Sequence, residues 1–246
     1  INSIKESLAL GKQKALIQMA TGSGKTFVAV NLCYYLIKYC NAKRILFLVD
    51  RGNLGDQTRV QGFEDFEVPN DGRKFTDIYN VQHLKNNKII GVNRVVISTI
   101  QRMYSILQGE EQLDPGKEND EALMGDPTMQ VEPIKYNPKV PIEEFDFVIV
   151  DECHRSIYNL WKQVLDYFDS FMIGLTATPS KSTIGFFDSN LVMEYSHDEA
   201  VADQVNVDFT VYNIRTKITR AGSKIEKGKV VAKRDRRTRI KRWENL

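Results

Sequence analysis

Apolar residues along this chain gather into short aliphatic runs separated by mixed, helix-length segments. The runs fall at 15–19, 44–49, 94–98, 147–150 and 171–175. Each is short, rich in Ile, Leu and Val, and shows no polar alternation, which suits strands buried on both faces of a parallel sheet. A weaker strand is expected at 76–81. Helical segments are expected at 1–10, where Gly11 supplies the stop, at 27–39, within 50–61 after an initial loop, and at 100–107. The 27–39 segment is apolar on nearly every side and reads as a buried helix. Strands alternating with helices predict an α/β fold with right-handed crossovers.

Two stretches break this rhythm. Residues 108–141 carry prolines, glycines and an acidic bias with little aliphatic content, and read as a long surface insertion, a spacer more than a binding element. Beyond residue 190 the character changes again. Alternation over 205–214 predicts a strand. Gly222 and Gly228 divide β-like pieces within 217–233, which predicts one or two hairpins. Residues 233–242 are densely basic, relieved only by Asp235. The expected organisation is a main domain over 1–204, with the insertion at about 108–141, and a connector over 205–246.

Composition adds limits. With 246 residues, 42% hydrophobic and 27% charged, the chain can bury a substantial core. No apolar run approaches the roughly 18 residues of a membrane span, so no membrane partner is expected. Three cysteines (Cys33, Cys40, Cys153) form neither a metal spacing nor an even disulfide set, which suits a reducing, cytoplasmic setting. The chain opens on Ile1 without a leader and is expected to be part of a longer protein. A formal net charge of +2 says little about nucleic acid; the basic stretch near the C-terminus says more.

Candidate chemistry lies at strand ends. Ala20-Thr21-Gly22-Ser23-Gly24-Lys25-Thr26 closes on the Gly-Lys-Thr of a P-loop, although Met19 stands where the strict pattern has its first glycine. Glycines let backbone N–H groups turn toward phosphates, and a following helix adds its positive dipole end. In such a loop Thr21, Gly22, Ser23, Gly24, Lys25 and Thr26 bind nucleotide, Lys25 reaches the β- and γ-phosphates, and the Thr26 hydroxyl ligates Mg²⁺. The run 148–150 ends in Asp151 and Glu152, placing two carboxylates at the C-terminal sheet edge, where open α/β folds bind ligands. Asp151 is the expected Mg²⁺ holder and Glu152 the base for the attacking water. His154 either links this site to neighbouring motifs or is a satisfied polar residue at a helix start. Gly174-Leu175-Thr176-Ala177-Thr178-Pro179 is a strand exit whose Thr176 and Thr178 hydroxyls read as coupling groups.

Taken together, Gly-Ser-Gly-Lys-Thr, Asp-Glu-Cys-His and Thr-Ala-Thr-Pro resemble the first RecA-like motor domain of a superfamily 2 helicase or translocase. Leu48-Val49-Asp50-Arg51 with Leu54 and Gln57 match that family's motif Ia and Ser98 to Tyr104 its motif Ib. The motor (R) subunit of type I restriction–modification enzymes is the more similar subgroup, on residues 18–26, 98–104, 151–158 and 206–219. The resemblance implies a RecA-like P-loop NTPase fold, mainly parallel with helices on both faces, ending in a β-hairpin or basic linker. It implies ATP and Mg²⁺ as cofactors, translocation along double-stranded DNA, and partnership with methyltransferase and specificity subunits. DNA phosphates are then expected at Arg51, Gln57, Ser98, Thr99 and Arg102. The basic stretch 215–242 either adds phosphate contacts or serves as a linker.

In such motors a second domain supplies an arginine finger, and an adenine-reading motif and a nuclease domain precede the P-loop. None of these is identifiable here, so the isolated chain is expected to bind nucleotide weakly and turn it over slowly. A GTPase would carry Asn-Lys-x-Asp; Asn86-Asn87-Lys88-Ile89 lacks the acid. A small-molecule kinase would rarely pair Thr-Ala-Thr-Pro with Asp-Glu-x-His, and a nucleotide-gated scaffold would leave the acids idle. Within the motors, a type III restriction subunit or a repair helicase is the alternative.

Overall fold

A computed structural model describes residues 1–114, 116, 118, 132–155, 159–213, 230–234 and 241–245. The chain divides into two compact units, Ile1–Val207 and Asp208–Leu246.

The first unit is built on seven parallel strands: β1 (Lys14–Met19), β2 (Ile45–Val49), β3 (Val81–His83), β4 (Val95–Thr99), β5 (Phe147–Val150), β6 (Phe171–Thr176) and β7 (Leu191–Tyr195). Their order across the sheet is β3-β4-β2-β5-β6-β1-β7. The apolar runs form the central strands because each residue in them faces core on one side or the other. On β2, Ile45, Phe47 and Val49 enter one layer, while Leu46 and Leu48 enter the opposite one. The register keeps this segregation across neighbours, with Leu46 opposite both Val96 and Val148. At about 1.5–3 kcal/mol per fully buried aliphatic side chain, a one-residue slip of β2 would be strongly penalised.

The first layer is covered by α1 (Asn2–Ala9), α2 (Lys25–Tyr39), a π-helical turn at Thr58–Glu64 that continues α3 (Gly52–Gln57), and α4 (Phe75–Ile78). The second is covered by α5 (Ile100–Leu107), α6 (Asn159–Tyr167) and α7 (Lys181–Phe186), with Trp161 fully buried in it. α8 (His197–Ala202) follows the edge strand β7. α2 is amphipathic rather than buried all round: Phe27 and Tyr39 are each 62% exposed.

Three expectations are corrected. The weak strand at 76–81 is helix α4 followed by β3, because the Asp77 carboxylate accepts from the Lys74 N–H (2.9 Å) and caps a helical turn. No strand forms over the described part of 205–214; Val207, Val211 and Tyr212 are at least 71% exposed, so the alternation there has no sheet to pair with. The described hairpin in the second unit is β8 (Val230–Arg234) with β9 (Lys241–Asn245), antiparallel, so the basic stretch itself supplies strand residues. The hairpin expected over 217–233 lies largely outside the described residues, as do 156–158 and 214–219 of the resemblance and positions 115, 117 and 119–131 of the insertion.

Candidate nucleotide site

The sheet order determines what can meet. β6 lies between β5 and β1, so the loops leaving β1, β5 and β6 sit side by side at one C-terminal edge. Val150 pairs with Gly174 and Gln18 with Thr176, which brings the three ends level.

The loop after β1 is shaped by two glycines in the left-handed region, Gly22 at φ 81° and Gly24 at φ 90°. Any other residue there carries strain. Gly24 caps α2 without a side-chain hydrogen bond, and the first turn holds no acid. The N-terminus of a 15-residue helix is thus free of any capping side chain, ready for a phosphate. The loop is anchored on its flanks: Ala20 N–H donates to the Tyr195 carbonyl (2.9 Å), the Ser23 hydroxyl to the Ala20 carbonyl (2.6 Å), and the Asn206 amide to the Thr21 carbonyl (3.0 Å). Thr21 is exposed, whereas Lys25 and Thr26 are half-buried.

The acids meet this loop. Lys25 Nζ stands 3.3 Å from Glu152 Oε1. Glu152 adopts φ 50°, an uncommon conformation for a residue bearing a Cβ and frequent at functional sites. Its other carboxylate oxygen lies 3.4 Å from His154 Nδ1, which is 3.0 Å from Thr176 Oγ1. Thr176 Oγ1 in turn accepts from the Thr178 N–H at 3.2 Å. A continuous polar chain therefore runs Lys25–Glu152–His154–Thr176–Thr178 and joins all three motifs.

Asp151 is held by its N–H on the Leu48 carbonyl (2.9 Å), and its Oδ1 accepts from the Glu152 N–H (3.0 Å). Burial, then the Glu152 charge, push its carboxyl up to about 6, with Lys25 only partly offsetting them and Asp50 adding to the rise. Asp50, placed in motif Ia by the sequence reading but given no chemical role there, is a buried third carboxylate. Its signal was its place directly after β2, beside β5. Burial also pushes the Cys153 thiol up, so it is a packing group rather than a nucleophile.

A cavity of about 320 Å³ opens between Ala20 and Thr21 of the loop, Ala177 and Thr178 after β6, and His197 and Asn206. A larger one, about 680 Å³ beside the end of α5 and residues 132–138, contains none of these groups.

These residues fit Mg²⁺ with a nucleotide. Carboxylates outnumber Lys25 in a partly buried cleft, an imbalance that a divalent cation relieves. Among the described residues no group of three or more His, Cys, Asp and Glu could hold a metal. Mg²⁺ takes one or two protein oxygens and completes its shell with phosphate and water. Thr26 and Asp151 are the residues that would hold it.

The expected DNA contacts are placed differently. Arg51 is 41% exposed with its Nε 3.6 Å from Asp50, and Gln57 is exposed and donates to Gln61. Ser98, Thr99 and Arg102 are buried. Ser98 donates to the Thr99 carbonyl, Thr99 caps α5 by accepting from the Arg102 N–H, and the Arg102 guanidinium is paired with Glu118. In this conformation these three are covered, because aliphatic packing of β4 and the start of α5 draws them beneath the surface. Asn206, which steadies the P-loop from beyond α8, had no local signal in the sequence.

A glycine-lined loop, an acid pair and a Thr-Ala-Thr-Pro exit at adjacent ends of a parallel sheet define a P-loop NTPase domain of RecA-like fold. Residues 1–181 match the family described as type III restriction enzyme, res subunit, and the chain belongs to that family. It is 32% identical over 236 residues to the EcoAI type I restriction enzyme endonuclease subunit of Escherichia coli, covering 93% of this chain and 25% of the relative. Against the EcoKI endonuclease subunit of E. coli K12 it is 27% identical over 228 residues, covering 85% of this chain and 17% of the relative. The chain thus spans a quarter or less of those proteins. A solved structure of the ATP-dependent type ISP restriction–modification enzyme LlaBIII bound to DNA shares the fold, with TM-score 0.50, 18% identity, and coverage of 82% of this chain and 15% of that one. Among the described residues no helix is long and apolar enough to cross a membrane.

Proposed function

We propose that this chain is the ATP-binding motor domain of a type I restriction endonuclease subunit, driving translocation along double-stranded DNA in a complex with methyltransferase and specificity subunits. The observation that carries the reading is the 3.3 Å approach of Lys25 to Glu152, which puts the P-loop and the acid pair in one cleft. Lys25 neutralises phosphate charge. Glu152 accepts the proton of the attacking water, and His154 orients its carboxylate. Thr26 and Asp151 would hold Mg²⁺, which when bound would supply charge neutralisation at the transferred phosphoryl. The His154–Thr176–Thr178 relay carries the state of that cleft to the exit of β6. The similarity to type I endonuclease subunits supports this assignment over a type III subunit or a repair helicase. A reducing cytoplasm is the compartment the reading implies.

The test is Glu152→Gln in the full-length protein. Mg²⁺-dependent binding of a non-hydrolysable ATP analogue should persist, while DNA-stimulated ATP turnover falls at least about a hundredfold, the lower range for a lost general base. Turnover within a fewfold of wild type would refute the assignment of Glu152 and favour the scaffold reading.

A further inference from the structure

The insertion after α5 does more than span a gap. Residues 110–132 contain eight acids and one lysine. Three of its described residues are seated on α5: the Ser105 hydroxyl bonds the Glu110 carboxylate, the Tyr104 hydroxyl donates to the Glu132 carbonyl (2.8 Å), and Arg102 holds Glu118. The last contact is the most specific. Arg102 Nε and Nη2 donate to the two oxygens of Glu118 at 2.9 and 2.7 Å, and the Thr99 hydroxyl donates to Oε1 at 3.2 Å. The third guanidinium nitrogen donates to Asn87 Oδ1 at 3.3 Å. Glu118 also acts electrostatically on His83, packed beneath α3.

A guanidinium fork and a hydroxyl converging on two oxygens is the chemistry that takes a phosphodiester. Here a carboxylate of the same chain takes it. The Arg102 side chain is 6% exposed beneath it, so a phosphate can reach the fork only if Glu118 leaves.

We propose that Glu118 is an intramolecular stand-in for a nucleic-acid phosphate, an autoinhibitory latch that withholds Arg102 and Thr99 until duplex DNA displaces it. The proposal rests on the DNA-motor reading above. It accounts for why the Thr99 hydroxyl and the Arg102 guanidinium are occupied in the free chain.

The experiment compares full-length wild type, Glu118→Gln and the double variant Glu118→Gln/Arg102→Gln for binding of a fluorescein-labelled duplex of arbitrary sequence across a salt series. Glu118→Gln should bind at least about fivefold tighter. Its dependence of log affinity on log salt should steepen by about one, the slope of one added phosphate contact. The double variant should lose both gains. Hydrogen exchange on the wild type supplies a readout independent of variant folding: duplex should speed exchange at Glu118 and slow it at the first turn of α5. If wild type binds duplex and shows DNA-stimulated turnover, yet Glu118→Gln binds no tighter, or duplex protects both places, Arg102–Glu118 is a structural pair and the latch is overturned. If wild type neither binds duplex nor responds to it, the motor reading fails, and the latch with it.

Discussion

Asp151→Asn separates what this carboxylate does for the fold from what it does for the nucleotide. The carboxyl is pushed from its ordinary 3.8 up to about 6, chiefly by burial and then by Glu152. An acid whose pKa is raised on folding stabilises fully below its unfolded value, near pH 4, and that contribution is lost as pH rises through about 6. At about 1.4 kcal/mol per pH unit, ionised Asp151 costs the nucleotide-free protein about 3 kcal/mol above pH 6. Asparagine keeps the shape and the acceptor for the Glu152 N–H but carries no charge. Melting of the full-length protein without nucleotide should therefore show the variant more stable at pH 7.5, by a shift smaller than the roughly 2–4 °C per kcal/mol of a 150–250-residue chain, because the relatives are several times longer. The difference should shrink toward zero as pH falls from 6 to 4. Adding Mg²⁺ with a non-hydrolysable ATP analogue should stabilise wild type more at pH 7.5 than at pH 5, and the variant little at either. A variant that melts below wild type at pH 7.5 without nucleotide would refute the reasoning. It would mean that the carboxylate is satisfied by the fold and is not held ready for a cation.

Two further outcomes follow from the same geometry. His154→Ala removes the bridge between Glu152 and Thr176; analogue affinity should stay within about twofold while DNA-stimulated turnover drops about tenfold, the equivalent of one hydrogen bond to a charged group, and an unchanged stimulated rate would show that the relay is idle. Gly174→Ala would place a Cβ 2.3 Å from Phe187 Cζ and 2.7 Å from Cys153 Sγ; overpacking should cost about 1–3 kcal/mol, read as a lower melting temperature, and a melting curve coincident with wild type would show that the layer under β6 yields.

Central strands were legible because burial on both faces leaves an uninterrupted aliphatic run, as in Ile45 to Val49 and Val95 to Ile97. The P-loop and the acid pair were legible because their chemistry restricts residue type at each position. β7 was missed because it is an edge strand, half-exposed, and carries the exposed Glu194. The helix after it had a readable start, since Ser196 and Glu199 form a capping box. Burial of Ser98, Thr99 and Arg102 was not legible: motif likeness gives residue identity, whereas their covering comes from the packing of β4 and α5 and, over Thr99 and Arg102, from Glu118, which the chain brings back from the insertion. Asn206 reaches Thr21 across 185 positions, a separation at which local pattern carries no information.

The shared cleft is tested most directly by a double-mutant cycle on Lys25→Ala and Asp151→Asn, titrating the full-length protein with a non-hydrolysable ATP analogue in Mg²⁺ by calorimetry. If the P-loop and the acid strand hold one magnesium–nucleotide, each change alone weakens binding, and the double variant binds far less weakly than the product of the two single losses. Losses that multiply without interaction would place Lys25 and Asp151 in separate sites and contradict the account.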